Sequence, residues 1–227
     1  MPTVRTVFLH GAGRAGRAAW AAQSAVEQDG WLFLDRGPSG DVPSTDARRI
    51  VAALDGSGHV VAASYGGVAA MLAAEQHPEA VRSLVLFEPA CFSLARGGPG
   101  VEEHVAALAP VFAAAGDPAV SAVEFSRRFA EGLGTSPADL PPDDLEETVA
   151  RLRATTPPWE VQVSALVPGL VPTLVLTGGW SPLYEEVAAA LVAAGAQHRV
   201  LAGYNHRPQD HPDAVDALAD FWADNGS

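Results

Sequence analysis

The segment His59-Val60-Val61-Ala62-Ala63-Ser64-Tyr65-Gly66-Gly67-Val68-Ala69-Ala70 joins a reactive group to the elements that would present it. An apolar, strand-like run ends in a serine, and an alanine-rich helical run begins at once. So sharp a turn holds the serine in a strained backbone conformation with its hydroxyl at the tip. Side chains two residues to either side would collide unless small, and here they are Ala62 and Gly66. Gly67 then lets helix and strand pack closely. A hydroxyl presented in this way is a nucleophile for acyl groups, provided that a base removes its proton. A serine that merely caps a helix has a similar local sequence. The partners elsewhere in the chain must therefore carry the reading.

Two segments supply them. An apolar run ends in His10-Gly11-Ala12-Gly13-Arg14, where glycines allow a tight loop with inward-pointing N–H groups. The N–H of Ala12 with that of Tyr65 could form an oxyanion hole for a tetrahedral intermediate. Arg14, beside this loop, suits a substrate carboxylate and equally suits the open surface. Near the carboxyl end stands Gly203-Tyr204-Asn205-His206-Arg207-Pro208. A histidine on a loop after the last strand can reach the serine and act as its general base. His211 fits less well, since His-Pro-Asp reads as the start of the last helix.

These residues need a scaffold. Apolar, β-branched runs occur at Val4–Leu9, Trp31–Asp35, His59–Ala63, Arg82–Phe87, Pro172–Thr177 and His198–Ala202. Helical patterns lie between them at Ala15–Gln28, Ser44–Leu54, Tyr65–Gln76, Leu183–Ala194 and Pro212–Asp224. Such alternation predicts an α/β fold: a doubly wound, mainly parallel sheet of about six strands with helices on both faces. Functional residues then belong in loops beyond the carboxyl ends of the strands. From Phe92 to about Leu170 the alternation stops. Helical patterns at Glu102–Ala115, Ala119–Glu131 and Leu140–Leu152 predict a helical cap inserted after the fourth strand. The expected division is a core of residues 1–91 and 171–227 with a cap of 92–170. Aromatic residues of the cap fill its own core or line a pocket. Trp159, in the loop returning to the sheet, and Trp180, just past the fifth strand, are the candidate substrate contacts.

Composition narrows the function. The formal charge is −13 and all 14 basic residues are arginine. A net negative surface repels phosphate backbones, so no nucleic-acid partner is expected. Without lysine there is no Schiff-base chemistry and no phosphate-binding P-loop. The single cysteine, Cys91, excludes an intramolecular disulfide. The histidines lack the i, i+4 pairing of a helical zinc site, so no metal and no other cofactor is expected. No run is long and apolar enough for a membrane span, and Met-Pro-Thr-Val-Arg lacks the pattern of a signal peptide. The expectation is a cytoplasmic protein, monomer or homodimer, with a small-molecule substrate. Gly11-x-Gly13-x-x-Gly16 with Asp35 further on also matches a dinucleotide fingerprint. That reading leaves the Ser64 turn unexplained.

In order, His-Gly-Ala-Gly, Ala-x-Ser-x-Gly-Gly, a helical insertion, Pro-Thr-Leu-Val-Leu-Thr-Gly and Asn-His resemble the α/β-hydrolase superfamily from Val4 to Trp222. The resemblance implies a compact, capped member with Ser64 as nucleophile and His206 as base. Its pattern is altered at the acid. After the fifth strand the family reads Gly-x-x-Asp, whereas this chain reads Gly178-Gly179-Trp180-Ser181. Glu88, ending the fourth strand, is the natural substitute, because some members carry the acid there. Ser181, the more distant Asp210 and Glu185, or a dyad without acid are the alternatives. The implied function is hydrolysis of an ester, thioester or lactone of a small to medium apolar acyl substrate. A cofactor-free lyase, cyclase or acyltransferase, or a ligand-binding member with little turnover, would use the same scaffold.

Overall fold

The computed structural model describes residues 4–12, 14–36, 43–134 and 145–225. Six strands form one parallel sheet: β1 (Arg5–Leu9), β2 (Trp31–Leu34), β3 (Gly58–Ala63), β4 (Val81–Phe87), β5 (Thr173–Thr177) and β6 (Gln197–Val200). Their order across the sheet is β2-β1-β3-β4-β5-β6. The chain first winds outward from β1 to β2, returns to place β3 on the other side of β1, and then continues outward. The crevice between β1 and β3, past their carboxyl ends, is the switch point where such sheets bind ligands.

The strands are buried on both faces, and alternation divides their side chains between two cores. Val7, Leu9, Val60, Ala62, Leu84, Leu86 and Val175 face α2 (Pro43–Leu54), α3 (Gly66–Gln76) and α8 (Pro182–Ala193). Phe8, Val61, Ala63, Val85, Phe87, Leu174 and Leu176 face Trp20 and α9 (Ala214–Asp224). Phe8 is the hub of this second core, with Trp20, Trp31 and Phe33 all within ring contact. α3 is buried nearly all round, which its small side chains permit.

The expected helix Ala15–Gln28 does not form. A single 3-10 turn spans Gly16–Ala19, and α1 covers only Ala21–Ala25. Gly16 has φ 48°, which a right-handed helix cannot contain. Trp20, between the two pieces, is fully buried and meets Phe8 and Phe87 edge-on at 5.4 and 5.8 Å. Burying that indole turns the backbone out of helical register. The dinucleotide reading fails with it, because a pyrophosphate site needs a sustained helix opening at the glycines.

Between β4 and β5 the described chain is helical: α4 (Pro99–Ala113), α5 (Ala122–Gly132), α6 (Leu145–Ala154) and α7 (Val167–Leu170). The part of the expected third cap helix before Leu145 lies outside the described residues, as does Gly13. Proline at the first position favours the start of α4. Glu186 of α8 accepts hydrogen bonds from the Gly100 and Val101 N–H groups, at 2.8 and 2.9 Å, tying this end to the sheet layer. Arg153 of α6 donates to the carbonyls of Ala115 (2.8 Å), Val120 and Ser121 (3.3 Å), and its guanidinium lies over Phe125. One side chain thus joins α6 to the α4–α5 connection. No helix among the described residues is long and apolar enough to cross a membrane.

Candidate active site

Ser64 occupies the two-residue turn between β3 and α3 with φ 50°, a left-handed conformation that costs a non-glycine residue about 1–2 kcal/mol. The surroundings hold it there. Its N–H donates to Phe87 O at 2.9 Å, and its carbonyl accepts from Gly67 N at 2.9 Å and Ala90 N at 3.0 Å. Two of these three bonds, to Phe87 O and from Ala90 N, come from β4 and its extension, so the turn is fastened to the neighbouring strand. Glycine is required beside it. A Cβ on Gly66 would lie 2.6 Å from His10 O, and one on Gly11 would lie 2.7 Å from Ser64 Cβ. The loop after β1 therefore runs directly against the serine.

That loop is held by His10. Its Nε2 accepts from Arg36 N–H at 3.1 Å, so the other nitrogen carries the proton, and Nδ1 donates to Gly11 O at 2.7 Å. Burial, outweighing the Gly11 contact, pushes this imidazole below its usual pKa and keeps it neutral. Ala12 follows and is exposed; Tyr65, opposite, is buried and donates its hydroxyl to Thr156 O at 2.8 Å, linking the turn to the cap's return loop.

Glu88 directly follows β4, with φ 41°, and is 1% exposed. Its Oε1 accepts from Gly178 N and Trp180 Nε1, both at 2.9 Å. Its Oε2 accepts from His206 Nδ1 at 2.6 Å. With Nδ1 donating, His206 Nε2 is free to accept from Ser64 Oγ, 3.0 Å away. Ser64, His206 and Glu88 thus form one hydrogen-bonded line across the carboxyl ends of β3, β4 and β6. Asn205, at φ 45°, turns the loop so that the next residue points inward. Arg207 pins it from the far side, bonding Asp210 through Nε and a second nitrogen (2.5 and 2.9 Å) and reaching Ala19 O at 3.2 Å.

The other carboxylates are engaged elsewhere. Asp210 holds Arg207, and Glu185 lies 3.7 Å from His198. Ser181 precedes α8, where its carbonyl accepts from Tyr184 N and Glu185 N. His211 Nδ1 accepts from Asp213 N at 3.1 Å, away from the serine. Trp180 is half exposed and uses its indole N–H to orient Glu88. Trp159 is 6% exposed, packed edge-on against Phe112 and His104, so most of its surface belongs to the cap. Arg14 is exposed. Among the described residues no group of histidine, cysteine and carboxylate side chains is arranged to hold a metal ion.

Tyr184 has no counterpart in the sequence reading. Its ring lies parallel on His206, centroids 4.7 Å apart at 13°, with the hydroxyl 3.3 Å from Nε2. Burial, reinforced by the charge of Glu88, pushes the phenol far up, so it stays protonated. The only sequence signal was an aromatic residue one turn into the helix after the Gly178–Pro182 loop. A nucleophile, a base and an orienting carboxylate in hydrogen-bonding sequence are the elements of acyl-transfer chemistry.

Comparison with known proteins agrees on the scaffold. The fold is similar to that of NosK from Streptomyces actuosus, at 23% identity over 99% of this chain and 100% of that one, TM-score 0.64. A thermophilic esterase from Thermogutta terrifontis is similar at 19% identity over 99% and 91% of the two chains, TM-score 0.67. Est816, an N-acyl homoserine lactone degrading enzyme, is similar at 21% identity over 96% and 93%, TM-score 0.62. At these identities the likeness is one of fold. No curated protein matches the sequence. The family match is decisive in extent, covering residues 6–218, and the chain belongs to the alpha/beta hydrolase family.

Proposed function

We propose that the protein is a serine hydrolase acting on an ester, thioester or lactone of a small to medium, mostly apolar acyl group. The observation that carries this reading is the position of His206, 2.6 Å from Glu88 through one nitrogen and 3.0 Å from Ser64 through the other. Ser64 Oγ attacks the carbonyl carbon as Nε2 takes the hydroxyl proton. Glu88 stabilises the resulting imidazolium and fixes its orientation. The oxyanion is received by the N–H groups of Ala12 and Tyr65. Nε2 returns its proton to the departing alcohol or thiol, leaving an acyl-Ser64 ester. Water then attacks that ester, giving a proton to His206, which passes it to Ser64 Oγ as the Oγ–acyl bond breaks, so that the carboxylic acid and free Ser64 result.

Residues 92–170 act in this reading as a cap that receives the acyl group, with Trp159 and Trp180 at its margins. Arg14, exposed beside the loop after β1, is the group that would suit a substrate bearing a carboxylate. Two proteins of the same fold, described as an esterase and as a lactone-degrading enzyme, act on bonds of this class. The test is labelling with a fluorophosphonate probe, followed by mass spectrometry of the modified peptide. An adduct on Ser64, absent from Ser64→Ala, together with hydrolysis of short acyl esters, is the expected result. A folded protein that takes no label and turns over no ester would refute it.

A further inference from the structure

The cap carries one imidazole that this chemistry does not use. His104 lies on α4, half-buried, with its ring edge-on between Phe92 (4.8 Å, 63°) and Trp159 (6.1 Å, 81°). Among the described residues neither ring nitrogen has a hydrogen-bonding partner, and neither is sealed from solvent. Successive ring contacts connect it to the proposed reacting groups. Phe92 also meets Tyr184 at 6.1 Å, and Tyr184 lies flat on His206. The placement is built rather than incidental. Glu186 fastens the first turn of α4 to α8, the helix that carries Tyr184, and a Cβ on Gly100 would meet Leu183 N at 2.7 Å.

His104 is neutral at ordinary pH. Burial pushes it down to about 4, and a positive charge on His206 acts in the same direction. A neutral imidazole offers one donor and one acceptor. An acyl chain of carbon and hydrogen alone would strip water from these atoms and return nothing, which is unfavourable. An anionic substituent would need a charged partner in surroundings that oppose charge. The complement is a single uncharged hydrogen-bonding group on an otherwise apolar body.

We propose that His104 is a substrate-binding residue that hydrogen-bonds an uncharged polar substituent, such as a hydroxyl, amide or ring heteroatom, on the acyl group delivered to Ser64. The inference rests on the acyl-transfer reading above and narrows its substrate class.

The experiment compares kcat/KM for paired p-nitrophenyl esters with and without a 4-hydroxyl on the ring: benzoates, phenylacetates and 3-phenylpropionates. At one acyl length the wild type should prefer the hydroxylated ester by about tenfold, the worth of one neutral hydrogen bond. His104→Phe should bring that ratio close to unity, and His104→Gln should keep most of it. Using the ratio makes each variant its own reference, so a general loss of packing does not imitate the effect. A wild-type ratio near unity at all three lengths, or one that His104→Phe leaves intact, overturns the proposal. If no ester is turned over, the acyl-transfer reading fails, and His104 is judged by calorimetric titration with 3-(4-hydroxyphenyl)propanamide and 3-phenylpropanamide. Tighter binding of the hydroxylated amide that disappears in His104→Phe supports the contact; equal or undetectable binding of both overturns it.

Discussion

Glu88→Gln changes one atom of the proposed relay and leaves its shape. The outcome depends on which way the new amide turns. The Oε1 position faces two donors, Gly178 N–H and Trp180 Nε1–H, whereas the Oε2 position faces only His206 Nδ1. An amide oxygen belongs where two donors converge, so the NH2 group is left facing Nδ1. His206 must then accept at Nδ1 and carry its proton on Nε2, the nitrogen that lies 3.0 Å from Ser64 Oγ. In that tautomer it cannot take the serine proton, and the imidazolium has lost its counter-charge. A lost triad carboxylate of this kind lowers kcat by about 10^4, roughly 5 kcal/mol of transition-state stabilisation. The packing survives, two of the three hydrogen bonds are unchanged and the third is reversed in direction, so folding should be little affected. The assay is kcat for p-nitrophenyl butyrate, with melting temperature as the control. A kcat within about tenfold of the wild type in a folded protein would show that Glu88 does not orient the base, returning the acid's role to Ser181 or to no residue.

Gly66→Ala should cost about 2–3 kcal/mol, because its Cβ would fall 2.6–2.7 Å from the carbonyl oxygens of His10 and Leu9, which are backbone atoms of a central strand. Calorimetry should show Tm lowered by about 5–10 °C, and an unmoved Tm would contradict the tightness of the turn. Acid should weaken the fold through His59, which is buried with Nδ1 2.7 Å from Ser83 Oγ. Burial, then the charge of Arg82, pushes it down to about 4. Between that value and the ordinary value near 6.5 the unfolded chain binds the proton and the folded one does not, so stability present above about 6.5 is lost as pH falls toward 4. The loss at pH 5 is on the order of 1 kcal/mol after discounting for solvent screening. Urea unfolding at pH 7.5 and 5 checks it, and His59→Gln should flatten the dependence; an equal slope in the variant would remove His59 as its source.

The central strands could be read from the sequence because a strand buried on both faces is a continuous apolar run. β3 and β4 stand in the structure within one residue of the expected bounds. The segment before β2 could not, since its conformation is set by Trp20 finding Phe8 and Phe87 across the sheet, a contact with no local signature. The same division holds at the site. Ser64, Glu88 and His206 each follow the carboxyl end of a strand, and that placement made them candidates in the sequence, Glu88 alongside Ser181, Asp210, Glu185 and a dyad without acid. Tyr184, His104 and the donors around Glu88 depend on how α8, α4 and the β5–α8 loop meet, which no periodicity records. His10 was visible only as part of a glycine-rich string; the bond from Arg36 that sets its tautomer spans 26 residues.

Seating the carboxylate at the end of β4 has a consequence for how this scaffold can vary. The segment that carries Glu88 also grips Ser64 through Phe87 O and Ala90 N, so the proposed acid and nucleophile share one frame. The β5–α8 loop contributes only N–H groups, one from the main chain at Gly178 and one from an indole. It is therefore an adjustable part: its side chains can be exchanged, and its outer residues lengthened, without relocating a charge. Variation of this loop and preservation of the proposed reacting groups thus fall to different stretches of chain. A library confined to Ser181, with Gly179 kept for its φ of 67° and Trp180 for its bond to Glu88, would vary this loop while Ser64, His206 and Glu88 stay in register.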